Sequence, residues 1–139
     1  MAVERTLVLI KPDGVQRHLI GEILSRIERK GFHVLGLRMM MMTEEIAAKH
    51  YSEHVDKDFY RPLVDFMTSG PLVAAVIEGD DAVAEWRAMM GPTDPATAPP
   101  GTIRGDYATN KRANVTHGSD AVQSARREIA IFFPELAQH

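Results

Sequence analysis

The sequence predicts a single α+β domain, residues 1–139, in which an antiparallel sheet is covered by helices. Two observations predict it. Four runs are apolar or β-branched and bounded by turn signals: RTLVLIKP (5–12), FHVLGLRMMMM (32–42), PLVAAVIEG (71–79) and VTH (115–117). Between them lie segments with apolar residues at helical spacing, several opened by Thr or Asp and closed by Gly.

RTLVLIKP reads as a buried strand stopped by Pro-Asp-Gly. LIGEILSRIERKG follows, with Leu19, Ile20, Ile23, Leu24 and Ile27 on one helical face and Gly31 as its C-terminal cap. FHVLGLRMMMM is the second strand. Thr43 then suits the N-cap of TEEIAAKHYSEH, with Glu44 and Glu45 in the first turn, where the helix dipole favours negative charge. Asp58 to Ser69 is another helical stretch, ended by Gly70. PLVAAVIEG is the most strand-like run. Asp80 is expected to cap DDAVAEWRAMM, which Gly91 ends. GPTDPATAPPGT is dense in Pro, Gly and Thr, and long loops inside compact domains tend to be functional. VTH is a short last strand, and Asp120 with Gln123 fits a capping pattern for a final helix, Asp120 to about Phe132. The order resembles the split βαβ, ferredoxin-like βαββαβ pattern with a four-stranded antiparallel sheet, although chain order alone does not give strand order.

At 139 residues the chain can bury a proper core. A net charge of −3 argues against a binder of nucleic acid living on phosphate contacts. The absence of cysteine excludes disulfides, thiolate zinc sites, Cys nucleophiles and iron–sulfur clusters. The start, MAVERTLVLIKPD, meets charge too soon for a secretory signal, and no apolar run approaches the roughly 18 residues of a membrane helix. A cytoplasmic protein without membrane contact is expected. Met39 to Met42 read mainly as adaptable core filler.

No glycine is followed by lysine and no two glycines are separated by one residue, so the P-loop, the dinucleotide fingerprint and the kinase glycine loop are all missing. HYSEH, His50 to His54, matches the inverted zinc-peptidase motif and would set both histidines on one helix face. The match is five residues with two wild cards and needs a further ligand downstream, so an ordinary helical segment explains it better. NVTHGSD, Asn114 to Asp120, is more telling. It sets His117 where a strand ends and a helix begins. Gly118 permits close backbone approach or positive φ. Ser119 and Asp120 open a helix whose free N–H groups favour an anion. Glu128, two turns on, can reach back to orient the imidazole, as a histidine nucleophile requires.

Together KPDGVQR (11–17), GEI (21–23), HY (50–51), SGP (69–71), GPTDP (91–95), PGTIRGD (100–106) and N-x-x-HGSD (114–120) resemble the nucleoside diphosphate kinase family along essentially the whole chain. The C-terminus, IFFPELAQH, is similar to that of bacterial members. The resemblance implies transfer of the γ-phosphoryl group of a (deoxy)nucleoside triphosphate to a (deoxy)nucleoside diphosphate, ping-pong through a phosphohistidine. By that similarity His117 is the nucleophile, Glu128 holds its other ring nitrogen, Ser119 hydrogen-bonds nearby and Tyr51 lies close. Arg87 and Arg104 grip phosphate oxygens, Thr93 donates its hydroxyl to a phosphate and His54 helps there. Lys11 sits between the transferring group and the sugar, Asn114 holds the ribose 3′-hydroxyl, and Phe59 stacks on the base, which suits every base because each has a π-face.

The resemblance also implies Mg²⁺, held mainly by the nucleotide phosphates, with Asp120 or Glu53 holding metal-bound water. It implies a homo-oligomer built from dimers through the second strand, a hexamer being favoured over a tetramer and PGTIRGD packing between subunits. Two positions depart from the common pattern. His18 stands where the family often has Gly, and Lys111 stands where many members set an apolar residue against the base. The rival readings are a phosphohistidine signalling domain, which needs no Phe59, Asn114 and Lys11 together, a zinc peptidase on HYSEH, and a silent interaction protein.

Overall fold

A computed structural model describes residues 2–137; Met1, Gln138 and His139, and with them the last two letters of the C-terminal stretch, lie outside the described residues. Its four strands are β1 (Val3–Ile10), β2 (His33–Met40), β3 (Leu72–Asp80) and β4 (Thr116–Gly118). They form one sheet in the order β2-β3-β1-β4 with every neighbour antiparallel, which is the split βαβ order. The strand order that the sequence left open is thereby supplied.

The seven α-helices among the described residues are α1 (Pro12–Gln16), α2 (Ile20–Lys30), α3 (Glu44–His50), α4 (Tyr60–Met67), α5 (Ala82–Met90), α6 (Ile103–Tyr107) and α7 (Val122–Phe132). They cover both faces of the sheet. Leu7, Leu9, Leu72, Ala74 and Val76 pack with α3, α4 and α7 residues such as Val64 and Ile129. Val8, Ile10, Val73, Ala75 and Ile77 pack with Ile23, Ile27 and Trp86 of α2 and α5. A strand buried on both faces has no polar side to show, and this is why β1 and β3 read as continuous apolar runs.

Several boundaries differ from expectation. Pro-Asp-Gly does not simply stop β1: Pro12 pre-sets the first turn of α1, and Lys11 is its N-cap. Thr43 does cap α3, its side chain accepting from Ile46 N at 3.1 Å. That helix stops at His50, however, and Ser52–His54 form a separate 3₁₀ turn. HYSEH is therefore not one helical face. The stretch from Asp58 to Ser69 contributes a shorter helix, α4, whose C-cap is Thr68. Asp80 ends β3 instead of capping α5; Asp81 is the N-cap, and Glu4 Oε1 accepts from Val83 N at 3.2 Å. Asp120 does not cap α7, whose N-cap is Ala121 without a side-chain bond. The Pro-rich loop carries a 3₁₀ turn, Pro95–Thr97, capped by Asp94 and followed by the unexpected α6, capped by Thr102.

The methionine run divides. Met42 is buried and Met40 packs on the core, whereas Met39 and Met41 are exposed beside Leu35 and Leu37. Alternate side chains of the edge strand β2, Leu35, Leu37 and Met39, thus make an apolar outer face that Met41 continues just past the strand. His18 has φ 62°, in the left-handed region where glycine is at ease, which explains why Gly suits that position.

Candidate active site

β4 is only three residues long, yet it fixes His117 firmly. Leu9 of β1 pairs with His117, and the indole Nε1 of Trp86 donates to the His117 carbonyl at 3.3 Å. Gly118 serves close approach and not positive φ: a Cβ there would lie 2.5 Å from Trp86 Cδ1 and 2.7 Å from Met90 Cε. From α7, Glu128 comes to meet the imidazole. Its Oε1 lies 2.9 Å from His117 Nε2 and accepts from Ser119 Oγ at 2.8 Å. Burial alone would raise the Glu128 carboxyl; the hydrogen bond and charge of His117, together with His50 and the Ser119 hydroxyl, outweigh it and hold the group below its usual range. With Nε2 donating to Glu128, Nδ1 is the ring nitrogen left with a lone pair.

His50 closes the back of this pair, its ring 4.8 Å from that of His117 in edge-to-face contact. Burial pushes it down to about 3, helped by like charge on His117, so it stays neutral. Burial and then the Glu128 charge raise the neighbouring Tyr51 phenol, which stays protonated.

A second buried group lies beside the first. Lys11 is 8% exposed, and its Nζ donates to Asn114 Oδ1 at 2.6 Å. Burial and the Arg104 charge, partly offset by Asp13, lower this ammonium to about 8. Arg104 gives its guanidinium to main-chain carbonyls: Nη2 to Thr116 O at 2.8 Å, Nη1 to Gly91 O at 3.0 Å and Nε to Asn114 O at 3.4 Å. Burial and then Arg87 bring it down to about 10. A buried cation among neutral carbonyls has unspent capacity for an anion.

The cleft opening onto His117 is lined by Tyr51, Glu53, His54, Phe59, Arg87, Thr93, Arg104, Asp120 and Glu128. Lys11, Asn114 and Ser119 do not line it and form the layer behind. Asn114 Nδ2 donates to Lys111 O at 3.0 Å and Thr93 O at 3.3 Å. At the rim Arg87 pairs with Asp120 at 2.9 Å, both well exposed, and the ring of Phe59 lies 5.2 Å from that of His54. Lys111 is turned outward, its Nζ 3.9 Å from Asp94. Sequence reasoning missed Leu63, Ser124 and Arg127 as lining residues and His50 as part of the site. Ser124 precedes Glu128 by four positions on α7, a spacing that could have found it.

His50, His117 and Glu128 bring ligand atoms within 4.8 Å of one another. Glu128 Oε1 is already engaged by His117 and Ser119, and three guanidiniums line the same cleft, so the field favours anions over a dication lodged there.

An anion cleft holding a histidine oriented by a carboxylate is what the sequence resemblance requires, and comparison with known proteins decides the matter. The profile described as nucleoside diphosphate kinase matches residues 4–137. The chain belongs to the nucleoside diphosphate kinase family. It is 56% identical to the nucleoside diphosphate kinase of Thermobifida fusca, over 97% of this chain and 100% of that protein. It is 58% identical to that of Deinococcus radiodurans, over 94% of this chain and 95% of that protein. The structure of the Halobacterium salinarum nucleoside diphosphate kinase in complex with CDP superposes with a TM-score of 0.92 at 51% identity, covering 95% of this chain and 88% of that one. The Aquifex aeolicus nucleoside diphosphate kinase gives a TM-score of 0.91 at 42% identity, covering 95% and 96% of the two chains. The family is one of phosphotransferases acting on nucleotides, and its fold is the ferredoxin-like α+β fold seen here.

Proposed function

We propose that this chain transfers the γ-phosphoryl group of a nucleoside triphosphate to a nucleoside diphosphate, ping-pong through His117. The observation that carries the proposal is the 2.9 Å contact of His117 Nε2 with Glu128, which leaves Nδ1 to attack in a cleft lined by Arg87 and Arg104. In the first half-reaction the Nδ1 lone pair forms the N–P bond as the bond from phosphorus to the β,γ-bridging oxygen breaks, and the nucleoside diphosphate leaves with that electron pair. Glu128 balances the charge that develops on the ring. The second half-reaction reverses these steps with another diphosphate. Such a transfer needs positioning and charge neutralisation more than covalent help. Arg104 and Arg87 are assigned to phosphate oxygens, Thr93 and His54 to the same group, and Tyr51 to the neighbourhood of the ring. Lys11 and Asn114, joined at 2.6 Å, are assigned to the transferring group and the ribose hydroxyl. Phe59, 46% exposed, is the base platform. Because stacking reads no base edge, purines and pyrimidines should both serve.

Mg²⁺ belongs to the same proposal. Its preference for oxygen ligands and retained water fits a single rim carboxylate facing the phosphates, and Asp120, 84% exposed at its side chain, is that carboxylate, with Glu53 further along the cleft. When bound it would neutralise phosphate charge. A homo-oligomer is supported by the exposed Leu35, Leu37 and Met39 of β2 and Met41 just after it, an apolar face of the kind that pairs with a second copy, and a hexamer is the assembly we propose. A single domain spanning residues 1–139 and a cytoplasmic site of action complete the reading; among the described residues no helix is long and apolar enough to cross a membrane.

The test is a two-step labelling. The protein is incubated with γ-labelled ATP and Mg²⁺, freed of nucleotide, assayed for acid-labile label, and then given GDP. Label that appears on the protein and passes to GTP is the expected result. Label that stays on the protein would favour a signalling domain, and no label would overturn the kinase reading.

A further inference from the structure

We infer that Asp13 is a positioning residue: its carboxylate clamps the strained turn at Val115 and through that turn sets Lys11, Asn114 and Arg104. The inference rests on the phosphoryl-transfer reading above and deepens it by a residue that stands outside the cleft.

Val115 has φ 75° although it is β-branched and fully buried. Thr116 N donates to Asn114 O at 2.8 Å, so Val115 is the centre of a γ-turn of the rare positive-φ kind. A backbone in that region persists only where its surroundings over-determine it. Here they do. Lys11 N donates to Val115 O at 2.8 Å, and Val115 N donates to Asp13 Oδ2 at 3.1 Å. The Val115 main chain is thus gripped at both polar ends by Lys-Pro-Asp at the start of α1. Gly14 allows that grip: a Cβ there would lie 2.9 Å from Ile10 Cγ2 and 3.3 Å from Val115 O. Of the bonds to the Val115 main chain itself, only the one from Asp13 comes from a side chain, so it is the one that a substitution can remove.

What hangs on the turn is the cationic half of the site. The carbonyls flanking Val115, those of Asn114 and Thr116, both accept from Arg104, and the Asn114 side chain accepts from Lys11. Rotating the Val115 peptides swings both carbonyls and the Asn114 Cα together. A first-turn acid serving only the dipole of the five-residue α1 would do best in solvent. Asp13 is instead half-buried, its Oδ1 meets no protein partner, and burial raises its carboxyl. That placement makes sense for an acceptor aimed at one buried N–H.

The experiment compares wild type, Asp13→Ala and Asp13→Asn by amide exchange at Val115 and by kcat and KM. Asp13→Ala should lose protection at the Val115 amide, and kcat/KM should fall about 100-fold with kcat falling alongside, because a shift of ~1 Å in positioned groups costs this much. Asp13→Asn keeps an acceptor oxygen in place and should keep both protection and turnover, the latter within about threefold, since a neutral acceptor is only about half as strong. Where Asp13→Ala is too unstable to purify, Asp13→Ser carries the same expectation, its hydroxyl stopping short of Val115 N. An Asp13→Ala protein with wild-type kinetics overturns the positioning role, as does an Asp13→Asn protein as slow as the alanine variant. A wild-type Val115 amide without protection overturns the clamp itself. Absence of phosphoryl transfer in the wild type would fail the functional reading alone, and exchange at Val115 would still decide the clamp.

Discussion

The back and the rim of the cleft are built to different standards. At the back, Glu128, Ser119, Lys11, Asn114 and Arg104 are buried, and each is held by a hydrogen bond to a named partner. At the rim, Phe59, Arg87 and Asp120 are exposed, and the one direct polar link among them is a solvent-facing ion pair. Ordered dipoles are most valuable where charge develops and water is scarce, whereas an exposed platform can accept different bases. The difference teaches that chemistry is fixed in advance while nucleotide choice is left loose.

The largest expected effect removes the nucleophile from the ordered back. His117→Ala should lower kcat by about 10⁴-fold or more while nucleotide still binds, as calorimetry would show. Retained turnover would refute the nucleophile. Next is Glu128→Ala, which frees the Nε2 side of the ring and leaves Ser119 Oγ without its acceptor. A loss of about 100-fold in kcat with little change in KM is expected from misorientation. Unchanged kcat would mean that the ring is held by its packing on His50 alone.

A pH profile probes the same region without mutation. Burial and then Arg104 lower Lys11 to about 8, so its cation is present below that pH and lost above it. For the free enzyme kcat/KM should decline above pH about 8, by about tenfold per unit. In stability the sign runs the other way: the unfolded lysine holds its proton to higher pH, so this group's penalty on folding eases as pH rises from about 8 towards 10.5. A Lys11→Arg variant should lose the kinetic decline, and a profile flat to pH 10 in the wild type would deny Lys11 its role.

The same contrast explains what could be read from sequence. The two-sided burial of β1 and β3 leaves continuous apolar runs, so the sheet was legible, and HGSD with a later Glu announced the pair at His117. Boundaries set by tertiary contacts were not legible. Asp80 looks like a cap, yet Glu4 of a distant strand accepts from the first turn of α5. Asp120 looks like a cap, yet Arg87 holds it. HYSEH looks like one helical face, but α3 ends at His50, which turns into the protein against His117. Positive φ at Val115 had no signal at all, since a β-branched residue is poorly suited to it.

Moving to the rim, effects should shrink and shift from kcat to KM. Phe59→Ala removes the base platform and should raise KM about tenfold with kcat nearly kept, the size of one lost base–aromatic stack. Equal loss in kcat and kcat/KM would show that the rim is coupled to the chemistry after all.

The smallest effect is the sharpest test of how loose the rim is. Asp120 has two conceivable uses: it restrains Arg87 through their 2.9 Å ion pair, or it faces the metal-bound water of an incoming nucleotide. A pair this exposed contributes little, so freeing Arg87 gains little. A rim carboxylate that meets the cation through water acts only while the cation is scarce. Asp120→Asn should therefore raise KM for the diphosphate by about threefold at limiting Mg²⁺, a change of the size expected for one exposed charge contact. The gap should close as Mg²⁺ saturates. Tighter binding at every Mg²⁺ concentration would show instead that the ion pair holds Arg87 back, and that the rim, like the back of the cleft, is set before substrate arrives.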